Sequence, residues 1–362
     1  MKKILDWLIQ FPLYPDDGVP FYKLEDHQNR ALKSLNNKIR KGIYVQVENK
    51  CLCANVNVGK DVIITQKDMA GISVNNILCS KCGLIRSEEI FNDTSCKLFY
   101  ENEYNAIYYN SSGPSETFFQ GQVERGNGFL ELIKRLDLLP SISTVFEVGC
   151  SMGGNLYPFY EDKKSVSGSD YNEENIDYGK AKGMKLYAGF INDEITSSNS
   201  QDLVILSHVM EHFVSIIKDV NKVIEKIRPG KYLLVEVPGI FAVKPYPFYP
   251  IWHFQKAHIY NFFYYEYLKV FFTKLGLKVV YGDERCTFVL QKPMDYSPIK
   301  DMPEIYDESL KDYPARIEAH LRYKYFILDY FVFLNSVRVK RAIGNALQWV
   351  GLKGILKSIL RH

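Results

Sequence analysis

Residues 143–155, Ser-Thr-Val-Phe-Glu-Val-Gly-Cys-Ser-Met-Gly-Gly-Asn, decide how the rest of this sequence reads. Residues 145–148 are the β-branched and aromatic run of a short buried strand. The run breaks into small residues from Gly149 to Gly154 and continues from Asn155 into a segment compatible with a helix. A strand, a tight glycine turn and a helix in that order make a nucleotide cradle. Glycine lets the backbone take positive φ and approach a ligand closely, and a helix behind it turns free N–H groups toward that ligand.

Downstream, strands and helices alternate. A strand over 165–169 ends at Asp170. A helix follows from Asn172, with Glu173 and Glu174 early, Lys180 and Lys182 late and Gly183 as its stop, charges that suit both ends of the helix dipole. Strands are predicted over 184–188 and 202–207, then a helix over 216–227 stopped by Arg228-Pro229-Gly230, then a strand over 232–237. After an aromatic insertion come a helix over 264–275 and strands over 278–281 and 287–291. This alternation predicts an α/β fold, a doubly wound Rossmann-like sheet with ligands at the carboxyl ends of its strands. Only a turn separates the last two strands, so the final one is expected to be antiparallel.

Upstream of a helix over 115–138, a helical pattern at 21–41 gives way to period-two strands near Val45 and Val47 and over 61–66 and 74–78. Cys51-Leu-Cys53 and Cys79-Ser-Lys-Cys82-Gly83 bracket this small β module. Two short knuckles can supply the four soft ligands of tetrahedral zinc, and a module with little core of its own can fold around such a metal. Cys51, Cys53, Cys79 and Cys82 are therefore the candidate ligands of a structural zinc, with buried free thiols as the alternative. Cys96, Cys150 and Cys286 have no partner in the pattern. The domain organisation expected is an N-terminal helical segment (1–42), a zinc-binding β module (43–98), a tyrosine-rich connector (99–114), a nucleotide-binding domain (115–295) and a C-terminal helical extension (296–362).

The net charge of +3 is uneven, because six basic and no acidic residues follow Tyr330, which leaves the rest mildly acidic. That argues against a general nucleic-acid binder. Asp6 and Gln10 interrupt the apolar N-terminus and no small-residue cleavage site follows, so the expectation is a cytoplasmic protein with reduced cysteines. Near the end, Leu352, Ile355, Leu356, Ile359 and Leu360 fall on one helical face and Lys353, Lys357 and Arg361 on another. Such a tail has two placements: peripherally on an anionic inner membrane face, or packed on the body or on a second subunit of a homo-oligomer.

The turn alone leaves two nucleotides open. Gly149-x-Ser151-x-x-Gly154 is a degraded dinucleotide fingerprint, and Glu147-x-Gly149-x-Ser151-x-Gly153 an altered methyltransferase motif. Asp170 supplies the ribose-binding acid under either. Glu147, an acid inside the first strand, suits a cofactor with a cationic amino-acid tail. With Gly168-Ser-Asp-Tyr171, Asp202-Leu-Val-Ile-Leu-Ser-His-Val-Met-Glu-His-Phe213, Ile227-Arg-Pro-Gly-Lys-Tyr-Leu-Leu-Val-Glu-Val-Pro-Gly239 and Ala257-His-Ile-Tyr-Asn-Phe262 following in order, residues 115–292 resemble the class I S-adenosylmethionine-dependent methyltransferases. The resemblance implies that Glu147, Gly149 and Gly153 frame the methionine part of S-adenosyl-L-methionine, with Cys150 a further cofactor-binding candidate in the same turn, and that Asp170 takes the ribose hydroxyls beside Tyr171. It places Ile191, in the loop 189–192, along the adenine, and Ser207 and His208 below the cofactor. Ser151 departs from the family's usual glycine. The cysteine module and Phe99-Tyr-Glu-Asn-Glu-Tyr104 resemble the N-terminal zinc-binding part and lid of methyltransferases that act on sugars and surface polysaccharides, which makes Tyr104 and Tyr108 candidate contacts.

Methyl transfer is an in-line displacement that needs alignment and often a base. His258 is the first candidate base, with His208, Glu211, His212 and His253 beside it, because histidine titrates near neutrality. Sugar C-methyltransferases carry Glu-His where this chain has Ala257-His258, which favours O-methylation of a sugar or glycan precursor. Two rivals are a nicotinamide-dependent oxidoreductase and a catalytically silent cofactor-binding scaffold of a glycan-assembly complex.

Overall fold

A computed structural model of the chain describes residues 12, 15–20, 23–108, 113–242, 260–299 and 303–322. The N-terminal part comprises α1 (Asp26–Arg40), β1 (Gln46–Glu48), β2 (Val62–Lys67), β3 (Ser73–Leu78), β4 (Ile85–Ser87), β5 (Glu89–Phe91), α2 (Asp93–Asn102) and α3 (Tyr104–Tyr108). The second part contains α4 (Glu116–Arg135), β6 (Thr144–Val148), α5 (Tyr157–Glu161), β7 (Ser165–Asp170), α6 (Glu173–Ala181), β8 (Lys185–Ala188), β9 (Gln201–Ser207) and α7 (Ile216–Lys226). It continues with β10 (Ile227–Glu236), β11 (Asn261–Phe262), α8 (Tyr265–Lys274), β12 (Lys278–Gly282) and β13 (Thr287–Gln291).

Seven strands form one sheet in the order β12-β13-β10-β9-β6-β7-β8. β6 to β10 run parallel to one another, and β13 is antiparallel to both β10 and β12, as expected of the last strand. β9 reads Gln-Asp-Leu-Val-Ile-Leu-Ser and is buried at every position, the composition of a parallel strand covered on both faces. The chain leaves β6 toward β7 on one side and later returns to its other side as β9, so the order reverses at the carboxyl end of β6. That switch point is where open α/β sheets hold ligands.

Several boundaries differ from the sequence pattern. β10 starts at Ile227, so Arg228-Pro229-Gly230 lies within the strand, whose pairing with β9 is irregular between Ile227 and Tyr232. The pattern shows a stop there because proline and glycine interrupt a ladder as readily as they end a helix. The segment after the turn forms only the five-residue α5. The helix-compatible segment from Asn155 is thus helical only from Tyr157 and for little more than one turn. Residues 99–108, expected as a connector, are mostly helical, and Asn92 caps α2 by accepting from Ser95 N at 2.9 Å.

The cysteine-bracketed module also does not stand apart. The sheet β11-β4-β3-β2 takes its edge strand from beyond β10, with Asn261 opposite Arg86 and Phe262 opposite Ile85. Cys79, Leu84 and Ile85 share one core with Phe262, Phe263, Tyr267, Leu310 and Ile317. Among the described residues no helix is long and apolar enough to cross a membrane. The tail 337–362 and the N-terminus lie outside the described residues.

Candidate functional site

Gly149 and Gly153 take φ of 68° and 76°, and Ser151 between them takes 51°. The turn therefore alternates through the left-handed region. A side chain on Gly149 would lie 2.5 Å from Val209 Cγ2, so both φ and space require glycine there. Position 151 needs the same backbone, which is the reason for a glycine preference at it. Serine is held in place instead, because Asn175 Nδ2 donates to its hydroxyl at 3.0 Å and its own N–H donates to Asp170 Oδ2 at 2.9 Å. Gly149 and Cys150 N–H donate to Ser169 O at 2.7 and 3.0 Å, which ties the turn to the end of β7.

Glu147 is fully buried at the carboxyl end of β6. Asn155 Nδ2 donates to its Oε1 at 2.6 Å, while Oε2 has no partner among the described residues. Burial pushes this carboxyl up to about 8, against the pull of Asn155 and Arg125. A buried carboxylate with a spare oxygen is an acceptor in wait of a donor, and a cationic donor would stabilise its charged form.

Asp170 ends β7 as expected. Its Oδ1 accepts from Asn172 N at 2.8 Å and its Oδ2 from Ser151 N, which leaves one further acceptor direction on each oxygen. Burial raises this carboxyl, opposed by those backbone donors. The cap of α6 is Asn172, not Asp170. Tyr171 is 37% exposed and, with Gly189, Ile191 and Asn192, lines a hollow of about 690 Å³ beyond β7 and β8.

On the other side of the switch point, His208 follows β9 with φ 55°. Its Nδ1 lies 3.4 Å from Glu211 Oε1 and its Nε2 3.1 Å from Glu236 Oε1 at the end of β10. Arg125 Nε reaches the same Glu236 oxygen at 3.6 Å. Burial works against a charge on His208, but the two carboxylates outweigh it and raise the imidazole to about 9. His208 thus holds its proton at neutral pH with both ring N–H groups turned to carboxylates, which suits it to orient Glu211 and Glu236 and not to abstract a proton. His212 Nε2 lies 3.8 Å from Glu211 Oε1, and Glu211 is buried with Oε2 unpartnered among the described residues. The buried hydroxyl of Ser207 likewise finds no partner among them. His253 and His258 lie outside the described residues.

Tyr104 packs against Phe99, Tyr100 and Tyr108, and Tyr108 donates to Asp68 Oδ2 at 2.6 Å. It is Tyr100 that faces the site, stacked on Tyr171 with ring centroids 6.4 Å apart and edge-on to His212 at 6.3 Å. The sequence reading passed over Tyr100. Tyr100 lies in the last turn of one helix and Tyr104 opens the next, and although their rings touch at 5.1 Å it is Tyr100 that stacks on Tyr171.

The four cysteine sulfurs lie within 4.8 Å of one another. Cys51–Cys82 and Cys53–Cys79 are 3.5 Å apart and Cys51–Cys53 3.3 Å, much longer than the ~2.05 Å of a disulfide. Ligands ~2.3 Å from a tetrahedral zinc stand about 3.8 Å from each other, so this donor set fits the metal. Cys53, Cys79 and Cys82 are fully buried, and Gly83 N–H donates to Cys79 O at 2.9 Å to close the second knuckle.

A family model described as a methyltransferase domain matches residues 120–281. No curated protein matches the chain. Among solved structures, an S-adenosylmethionine-dependent methyltransferase from Mesorhizobium loti is 18% identical with a TM-score of 0.25, over 27% of this chain and 47% of that one. The chain therefore spans less than half of that relative. One from Archaeoglobus fulgidus is 18% identical with a TM-score of 0.35, over 57% and 92% of the two chains. An amino pentose methyltransferase from Micromonospora echinaspora is 17% identical with a TM-score of 0.29, over 35% and 58%. Residues 120–281 are therefore similar to a methyltransferase domain over a little less than half of the chain.

Proposed function

We propose that the protein is an S-adenosylmethionine-dependent methyltransferase that acts on a sugar or surface-glycan precursor, with O-methylation favoured, and that its cysteine cluster holds a structural zinc. The observation that carries the cofactor assignment is Glu147, whose buried Oε2 has no partner among the described residues at the switch point of the sheet. An α-ammonium group would satisfy that oxygen and shift Glu147 to its charged form. When bound, the cofactor supplies a methyl group on an electrophilic sulfonium. The chain's own residues do the rest. The turn 149–153 approaches by backbone alone, Asp170 offers its remaining acceptor directions to vicinal hydroxyls, and Tyr171 and Ile191 present flat and apolar surface.

The sugar assignment rests on the resemblance carried by the cysteine module and the Phe99–Tyr104 segment. His208 orients Glu211 and Glu236, and a separate base is needed for an acceptor hydroxyl, the role assigned to His258. Calorimetric titration with S-adenosylmethionine, S-adenosylhomocysteine and NADH tests the cofactor: micromolar binding of the first two alone is expected, and preference for NADH would end the assignment. Labelled-methyl transfer to nucleotide sugars and lipid-linked glycans tests the acceptor. Zinc content is read by elemental analysis, with one ion per chain expected.

A further inference from the structure

The carboxyl edge of the sheet has a second hollow, a cleft of about 580 Å³ beyond β9, β10 and β12. His208 and Glu236 line it where it meets the cradle, and Arg125, Arg135, Arg285 and Asp283 line the remainder. Its charges are not balanced among themselves. Glu236 is engaged by His208 and Arg125. Asp283 is consumed by its own turn, accepting from Arg285 N at 3.0 Å, Thr287 N at 3.1 Å and Tyr281 OH at 3.0 Å. Arg135 lies over the Tyr281 ring at 5.6 Å, and neither it nor Arg285 has a carboxylate partner among the described residues. Asp283 keeps its charge, but the lining sets three arginines and His208 against two carboxylates, so the cleft carries an excess of positive charge in which Arg135 and Arg285 make no ion pair among the described residues.

Arg285 is also presented by fixed backbone. The turn between β12 and β13 forces Cys286 to φ 61° and is pinned by Cys286 N to Asp283 O at 2.9 Å and Val237 N to Cys286 O at 3.2 Å. It packs so closely on the end of β10 that a side chain on Gly239 would lie 2.6 Å from Glu284 O. A left-handed non-glycine residue is strained, and here the strain places an arginine at the mouth of a cleft.

We propose that this cleft receives the acceptor, and that Arg285 and Arg135 bind a negatively charged group on it, a phosphate or a carboxylate carried by a sugar. Guanidinium pairs recognise both anions through parallel N–H donors. The proposal rests on the methyltransferase reading for the word acceptor, but not for the anion site.

Full-length protein is titrated with glucose 1-phosphate, glucuronate and glucose. At least one anionic sugar should bind at least about tenfold tighter than glucose, and the better one names the group. Arg285→Gln and Arg135→Gln should each weaken it about ten- to a hundredfold, and Arg285→Lys less, because the charge remains without the fork. S-adenosylmethionine titrated into the same variants should bind as to wild type, which also shows them folded. Failure of both anions to outbind glucose, or unchanged anion binding in both glutamine variants, overturns the site. Loss of S-adenosylmethionine binding in wild type with anion binding intact would refute the methyltransferase reading and leave the anion site standing.

Discussion

The two halves of the sheet's carboxyl edge are built on opposite principles. The half at β6 and β7 is made of backbone: a turn through three left-handed residues, a buried Glu147 and an Asp170 whose oxygens are already anchored by N–H groups. The half at β9, β10 and β12 is made of side chains: His208 between two carboxylates and arginines at an open cleft. A backbone-built site tolerates few sequences and serves an invariant ligand. A side-chain-built site can be retuned one residue at a time, and that is the half to which the acceptor is proposed to bind.

The largest effect that would test this contrast comes from outside both halves. If the cluster holds the proposed zinc, Cys79→Ser or treatment with a chelator should lower stability by several kcal/mol. Because the knuckles share a core with Tyr264 and Tyr267, and Tyr264 OH donates to Cys82 O, calorimetry should show the whole chain melting earlier in one transition. A separate early transition would mean that the module is energetically independent.

Glu147 comes next. Glu147→Gln should weaken S-adenosylmethionine binding about ten- to a hundredfold, the worth of a hydrogen bond to a charged group. Burial raises this carboxyl to about 8 from an ordinary 4.5. The folded cofactor-free protein therefore keeps a proton that the unfolded chain loses. Stability should fall as pH rises from about 4.5 to 8, by at most ~1.4 kcal/mol per unit from this group, and be level on either side. Glu147→Gln should flatten that slope in denaturant titrations. Cofactor binding at pH 7 should release a proton, seen as a dependence of calorimetric enthalpy on buffer ionisation.

His208 gives a smaller and more local signal. Its ring should titrate near 9 by NMR, and Glu236→Gln should bring the midpoint down. A midpoint near 6.5 would mean that the two carboxylates do not hold a charged imidazole. Ser151→Gly should have the smallest effect, a gain of no more than about 1 kcal/mol, since relief of the left-handed φ is offset by loss of the Asn175 hydrogen bond. A clear loss would show that the hydroxyl matters more than the backbone.

The same contrast explains what could be read without coordinates. Glycine spacing, Glu147, Asp170 and the buried run of β9 follow from backbone demands, which leave fixed residue types in the sequence. The ends of β10 and α5 were obscured where proline and glycine have more than one use. Glu236 and Arg285 were illegible because nothing local marks a side chain at a strand end or turn as facing a site. Neither could local patterns pair Asn261 with Arg86, since β11 is two residues long and finds its register only against β4.

That pairing has a consequence for the order of events during synthesis. β4 emerges from the ribosome long before its outer neighbour β11, and the protein interior that Phe262 completes is still missing. Through that interval one edge of the N-terminal sheet stands open, a state that invites pairing with other chains. Metal capture by the knuckles on either side of β2 and β3 would hold the half-built sheet in register until residue 262 arrives. Nascent chains stalled at residue 250 should then resist protease only when zinc is supplied, whereas chains stalled past residue 340 should depend on it less.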